Sequence, residues 1–290
     1  MIILDYNQVA ISNLFAQTGK MGMDEFSESH TRHMILNTIR RLRTKFKKDY
    51  GEVVIACDDR HNWRKDVYPY YKANRKKMRE NSAIDWDTMH EQLTLIRTEL
   101  MEYFPYKVIM VDKAEADDII GAIANQLGTF LNTGEPIMIC SADKDFVQLQ
   151  KYGNVKQYNP ILDKYVRIND PVGYLVEHII KGDRGDGVPN MLSKDDVFIN
   201  GRQTPCRQKF IDATLLDNKG KELQDYTWKD PELKRGFERN RLLIDLENIP
   251  TVIKLAVAHA LKQPDKTRGK LFNYFTKNRL KNLINKLDEF

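Results

Sequence analysis

Ile137-Met138-Ile139-Cys140-Ser141-Ala142-Asp143-Lys144-Asp145 reads as a buried strand that runs straight into two acids. Four apolar residues in a row, bounded by small and polar ones, suit a strand covered on both faces. The pattern recurs along the chain. Met1-Ile2-Ile3-Leu4 ends in Asp5, Val53-Val54-Ile55-Ala56-Cys57 ends in Asp58, and Val108-Ile109-Met110-Val111 is followed by Glu115, Asp117 and Asp118. A last pair, Asp183 and Asp186, follows the helix-like Leu175-Val176 and Ile179-Ile180 and a Gly-containing turn. Ligands of an open α/β sheet bind outside the carboxyl ends of its strands, so these acids can converge.

Between the acid-tipped runs lie amphipathic segments, and this alternation predicts an α/β fold built on a mainly parallel sheet flanked by helices. Strands are expected near 1–5, 52–57, 106–111, 136–140 and 154–158, and helices near 29–48, 84–104, 115–130 and 172–181. Ser82 with Asp85 makes a capping box for the 84–104 helix, on which Met89, Leu93, Ile96 and Leu100 share one packing face. Beyond residue 186 strands disappear, and residues 187–240 are polar with short helical pieces. From about 236 the chain turns helical again and finishes on Leu271, Phe275, Leu280, Leu283 and Leu287. A domain of residues 1–185 and a smaller helical C-terminal domain of residues 186–290 are expected.

The 290 residues give ample length for a core, and 41% hydrophobic with 30% charged residues fits a soluble globular protein. Net charge is only +5, but acids gather in the clusters and bases elsewhere, as suits a polyanion held over a metal site. Cys57, Cys140 and Cys206 are odd in number and widely spaced, which argues for free thiols and a cytoplasmic setting. No apolar stretch approaches the roughly 20 residues of a membrane span, and Asp5 comes too early for a signal peptide.

Nine carboxylates in one crevice repel one another unless cations neutralise them or some stay protonated. Hard oxygen donors without neighbouring Cys or His favour magnesium or manganese over zinc. Two such ions roughly 4 Å apart can activate water and stabilise a leaving oxygen, which is phosphodiester chemistry. Each cluster also has a plainer reading. Glu115, Asp117 and Asp118 can cap a helix, Asp143 and Asp145 can belong to an ordinary loop, and Asp183 and Asp186 can be a turn with a cap. Five coincidences at one sheet edge favour the metal reading.

Directly after Asp58 comes a basic and aromatic stretch running from Trp63-Arg64-Lys65 through Tyr68, Tyr70-Tyr71-Lys72 and Arg75-Lys76-Lys77 to Arg79. Interleaved rings and cations suit stacked bases and paired phosphates of single-stranded nucleic acid. Arg64, Lys65, Tyr70, Tyr71, Lys72, Arg75, Lys76, Lys77 and Arg79 are therefore candidate nucleic-acid contacts. The plainer reading is a solvated basic face. No histidine has ligand spacing near the acids, and none is assigned a catalytic role.

These residues resemble the 5′-nuclease/flap endonuclease superfamily. The resemblance rests on Ile3-Leu4-Asp5, Cys57-Asp58, Trp63-Arg64-Lys65-Asp66, Tyr71-Lys72-Ala73-Asn74-Arg75, Glu115-Ala116-Asp117-Asp118, Ser141-Ala142-Asp143-Lys144-Asp145-Phe146 and Lys181-Gly182-Asp183-Arg184-Gly185-Asp186, with an echo at Asn240–Leu246. It implies a PIN-like sheet domain with a helical arch or bridge over about 60–104. It also implies a magnesium-dependent 5′→3′ exonuclease and flap endonuclease with ribonuclease H activity, acting on DNA and RNA–DNA duplexes in replication. Asp5, Asp58, Glu115, Asp117 and Asp143 would serve a first magnesium ion. Asp145, Asp183 and Asp186 would serve a second, with Asp118 nearby and manganese as a possible substitute. Lys72 and Arg75 would act with Asp117 and Asp143 as catalytic groups at the scissile phosphate. A sliding clamp and a single-stranded-DNA-binding protein are partners implied by the family, and a monomer is expected. The pattern departs at Gly187-Val188-Pro189-Asn190-Met191-Leu192-Ser193-Lys194, which keeps only the opening of a helix-hairpin-helix turn and puts that motif's cation site in question.

Two other readings stand beside this one. Asp143-Lys144-Asp145-Phe146-Val147 also fits a haloacid-dehalogenase-type phosphatase motif, although that motif ends a first strand and leaves Asp5 and Asp58 unused. A DNA-binding replication factor with an inactive site is the non-enzymatic alternative, although none of the expected acids is missing.

Overall fold

The computed structural model describes residues 1–18, 27–75, 85–129 and 134–290. In chain order the elements used below are β1 (Ile2–Asp5), α1 (Tyr6–Thr18), α2 (Glu28–Tyr50), β2 (Val53–Ala56), α3 (Trp63–Val67), α4 (Trp86–Tyr103), β3 (Lys107–Ile109), α5 (Ala116–Leu127), β4 (Ile137–Cys140), β5 (Val155–Asn159), β6 (Lys164–Val166), α6 (Pro171–Lys181), α7 (Val197–Asn200), α8 (Gln208–Asp217), α9 (Pro231–Ile244), α10 (Thr251–Leu261), α11 (Leu271–Lys277) and α12 (Lys281–Ile284).

Two compact units are interleaved along the chain. The first comprises residues 1–61, 84–167 and 250–290, and the second residues 62–83 and 168–249. A single cut at residue 185 does not separate them.

The first unit holds a six-stranded sheet in the order β3-β2-β1-β4-β5-β6. All neighbours are parallel except β5 and β6. Each expected strand is present. β6 has no counterpart in the sequence reading, because Lys164-Tyr165-Val166 is short and largely exposed and carries no buried run. α1 was also not expected; it begins with no intervening loop after Asp5.

Helices form where caps and apolar stripes coincide. Ser27 accepts the His30 N–H to open α2, whose buried face carries Ile35, Leu36, Ile39, Leu42 and Phe46. Gly51 ends it at φ +80°, a conformation that favours glycine. Asp85 caps α4 through the Thr88 N–H, and Leu93, Ile96 and Leu100 of the expected stripe are buried with Met89 packed against them. Ser82 lies outside the described residues. The C-terminal helical stretch joins the same core, where Leu271, Phe275, Leu280, Leu283 and Phe290 pack with Ile2 and Leu4 of β1.

The second unit is helical. Its core gathers Tyr68 and Tyr71 with Leu175, Ile179, Ile180, Met191, Phe237 and Leu243. Asn240, fully buried, donates to the carbonyls of Ile179 and Pro189 and so pins α9 to α6 and the following turn. Cys57, Cys140 and Cys206 are free thiols, and among the described residues no helix is long and apolar enough to cross a membrane.

Candidate active site

Parallel pairing brings the carboxyl ends of the strands to one edge. Asp5 lies opposite Ala56 and Leu4 opposite Cys140, so Asp58 and Asp143 follow their strands on either side of Asp5. The strand order reverses at β1, which makes this edge the switch point where α/β sheets bind ligands.

Asp5 is nearly buried. One of its oxygens accepts the Gln8 N–H at 3.0 Å and the other the Ser141 hydroxyl at 3.4 Å. Burial, and then the neighbouring Asp58 and Asp143 carboxylates, push its pKa up to about 7. Asp58 accepts the Ala116 N–H at 2.6 Å and the Asn7 amide at 2.5 Å, tying β2 to the start of α5 and to α1. Asp143 accepts the Asp145 N–H at 2.9 Å, and its own N–H donates to the Ser141 hydroxyl at 3.1 Å. Asp117, Asp143 and Asp145 each present an oxygen within 4.8 Å of the other two.

Glu115 and Asp118 do different work. Glu115 is the N-cap of α5, and its N–H donates to the fully buried Asp118 carboxylate at 2.9 Å. For Asp118 the plainer capping reading therefore has direct geometric support. The donor set of Asp117, Asp143 and Asp145 is carboxylate throughout, without thiolate or imidazole, and this suits a hard divalent cation. Such an ion would also relieve the repulsion that raises Asp5.

The remaining candidates belong to the second unit. Asp183 accepts the N–H groups of Gly185 at 2.7 Å and Asp186 at 3.1 Å, and the His178 ring lies 3.6 Å away. Burial alone would raise its carboxyl, but His178 and these N–H groups outweigh it and hold Asp183 below the usual carboxylate range. Asp186 is ringed by donors from the basic stretch: the Tyr71 hydroxyl at 2.7 Å, Arg75 at 2.5 Å and Lys72 at 3.4 Å. The Lys72 N–H also bonds the Asp186 carbonyl at 2.7 Å while Lys72 sits at φ +56°, unusual for a residue with a side chain. Gly187 makes the approach possible, since a Cβ there would lie 2.9 Å from the Tyr70 carbonyl oxygen.

The basic stretch is less exposed than its composition suggests. Arg64 is 3% exposed, donates to the Leu243 carbonyl at 2.8 Å and lies over the Trp63 ring. It is a packing residue, which corrects its reading as a phosphate contact: its planar cation is used up in the interior. Tyr71 is likewise buried, with its hydroxyl on Asp186, and offers no open face for a base. Lys65 is exposed and Tyr70 half-buried. Lys76, Lys77 and Arg79 lie outside the described residues.

Sequence reasoning missed Asn7 and the bridging role of the Ser141 hydroxyl. A polar residue two positions after the strand-ending Asp5 was the available signal for Asn7. For Ser141 it was a hydroxyl set between strand and acid.

Comparison with known proteins places this geometry. The family described as 5′-3′ exonuclease, N-terminal resolvase-like domain, matches residues 1–174, and the T4 RNase H C-terminal family matches residues 173–290. The chain is 33% identical to ribonuclease H of Enterobacteria phage T4, over 99% of this chain and 95% of that protein. It is 25% identical to a 5′-3′ exonuclease of Buchnera aphidicola subsp. Acyrthosiphon pisum, covering 83% and 85% of the two chains. Among solved structures, a bacteriophage T5 flap endonuclease in a pseudo-enzyme–product complex with DNA and metal ions shares the fold at TM-score 0.62 and 17% identity, over 97% of each chain. A zinc-bound T5 5′-exonuclease does so at TM-score 0.61 and 15% identity, over 90% of this chain and 98% of that one. Matches to nuclease families along the whole chain replace the phosphatase reading of Asp143–Val147. The acid-tipped parallel sheet and the full-length match together make the chain a member of the 5′→3′ exonuclease family, a 5′ nuclease.

Proposed function

We propose that the protein uses two magnesium ions, with manganese as a substitute, to remove RNA primers and 5′ flaps from DNA and RNA–DNA duplexes during replication. The observation that carries this reading is the meeting of Asp117, Asp143 and Asp145 oxygens within 4.8 Å at the sheet's switch point. A divalent cation held there by Asp117, Asp143 and Asp145 would supply Lewis-acid chemistry for phosphodiester hydrolysis. The chain's own groups do the rest. Asp117, Asp143 and Asp145 would hold the cation, Asp58 ties the end of β2 to α5 and α1, and Ser141 keeps Asp5 and Asp143 in register. Lys72 and Arg75, oriented by Asp186, meet negative charge growing on the scissile phosphate. Residues 186–290 contribute duplex contacts through their Lys and Arg side chains. The protein acts as a monomer in the cytoplasm of a phage-infected cell, alongside a sliding clamp and a single-stranded-DNA-binding protein.

The test is release of nucleotides from a 5′-labelled flap and from a 5′-labelled RNA–DNA duplex. Cleavage should require magnesium, and Asp143→Asn should abolish it while leaving substrate binding intact or tighter. Near-wild-type turnover by that variant at saturating magnesium would remove Asp143 from the metal site.

A further inference from the structure

We infer that Gln157, a fully buried amide on β5, is a positioning residue for the nuclease centre. Its Nε2 donates to the Ser141 carbonyl at 3.1 Å and to the Asp143 carbonyl at 2.5 Å. Its Oε1 accepts from Gln150 at 3.2 Å. Both amide hydrogens and the carbonyl are thus engaged, and a flipped amide would set oxygen against two carbonyl oxygens. The residues so gripped are the ones that matter. Ser141 shares its hydroxyl between Asp5 and the Asp143 N–H, and Asp143 presents a carboxylate to Asp117 and Asp145. Gln157 touches no carboxylate itself. It fixes the main chain of the Ser141–Asp143 turn by both carbonyls, adding to the Ser141 N–H bond to the Tyr158 carbonyl at 3.0 Å and the Asp143 N–H bond to the Ser141 hydroxyl. Groups behind metal-ligating carboxylates typically alter metal affinity or activity by about 10–100-fold when removed.

This inference rests on the proposed metal role of Asp143, and the experiment separates the two. Mn²⁺ binding to the whole protein, followed by electron paramagnetic resonance without substrate, is compared for wild type, Gln157→Met and Asn154→Leu. Methionine keeps the volume and removes the donor. Asn154, just before β5 at its other end, is the control, because it is equally buried and its amide holds the Leu127 and Glu135 carbonyls away from the acids. Gln157→Met should weaken Mn²⁺ binding about tenfold and raise the magnesium needed for half-maximal cleavage by a similar factor. Asn154→Leu should lower the thermal midpoint but leave Mn²⁺ affinity within twofold. Equal Mn²⁺ affinity in Gln157→Met and wild type overturns the positioning role alone, as does an equal loss in both variants. A wild type that takes up no Mn²⁺ overturns the metal reading and this inference with it.

Discussion

Asp5 illustrates how a site is held at the expense of stability. Its carboxyl titrates near pH 7 in the folded chain against about 4 in an unfolded one, so between those values the native state binds the extra proton. Stability from this group is therefore present at low pH and lost as pH rises toward 7. Asp5→Asn should raise the thermal midpoint in chelator at pH 7.5, by roughly 2–4 °C for each kcal/mol relieved, and the gain should shrink toward pH 4.5. A gain constant across that range would show that the charge is not its source. Lys72 and Arg75 make the complementary case. Replacing either with Ala should slow single-turnover cleavage by about 10²–10³ while weakening substrate binding far less, because charge on the phosphate grows only in the transition state. Losses confined to binding would place both cations along the strand, away from the scissile bond. Asp5, Asp58 and the Asp143–Asp145 pair could be read from the sequence because each follows an apolar strand run. The burial of Arg64 and Tyr71 could not, since a list of bases and rings says nothing about which of them faces inward.

At the level of elements, strands β1 to β5 and helices α2, α4, α5 and α6 follow from periodicity and caps. What escaped is short or unpatterned: the exposed β6, and α1 with its Asn7, Gln8 and Ser12 between apolar residues. The apolar spacing from Leu271 to Leu287 announced burial without saying in which core, because a stripe does not identify its partner. Helix α9 offers a test of packing against propensity. Gly236 lies inside it, where alanine would ordinarily stabilise a helix by close to 1 kcal/mol. A Cβ at this position, however, would lie 2.0 Å from the Met191 carbonyl oxygen. Gly236→Ala should thus destabilise the chain, by about 1–3 kcal/mol in denaturant titration, because main chain cannot step aside as a side-chain tip can. A neutral or stabilised variant would mean that α9 does not approach Met191 so closely.

At the scale of the molecule, the chain passes four times between its two units and ends in the core where it began. Residues 250–290 accordingly belong to the sheet unit and give Leu271, Tyr274, Phe275, Leu280, Leu283 and Phe290 to its core. A chain truncated after Ile249 should lose cooperative thermal unfolding and expose apolar surface to a hydrophobic dye, and retention of a sharp transition would refute that. Substrate binding without turnover, measured in calcium, should weaken with salt at a log–log slope of roughly −3 to −5 if three to six phosphates are neutralised. A slope near zero would leave the excess of lysine and arginine without a role on the duplex. The shared core also sets an order in time. At about 5–20 residues per second, the ribosome needs roughly 15–60 s for a chain of 290 residues. Through that interval Ile2 and Leu4 await Phe275 and Phe290, so a half-made polypeptide cannot complete the frame that holds its carboxylates. Cleavage is therefore expected to appear only after residues 271–290 have joined the core that holds Ile2 and Leu4.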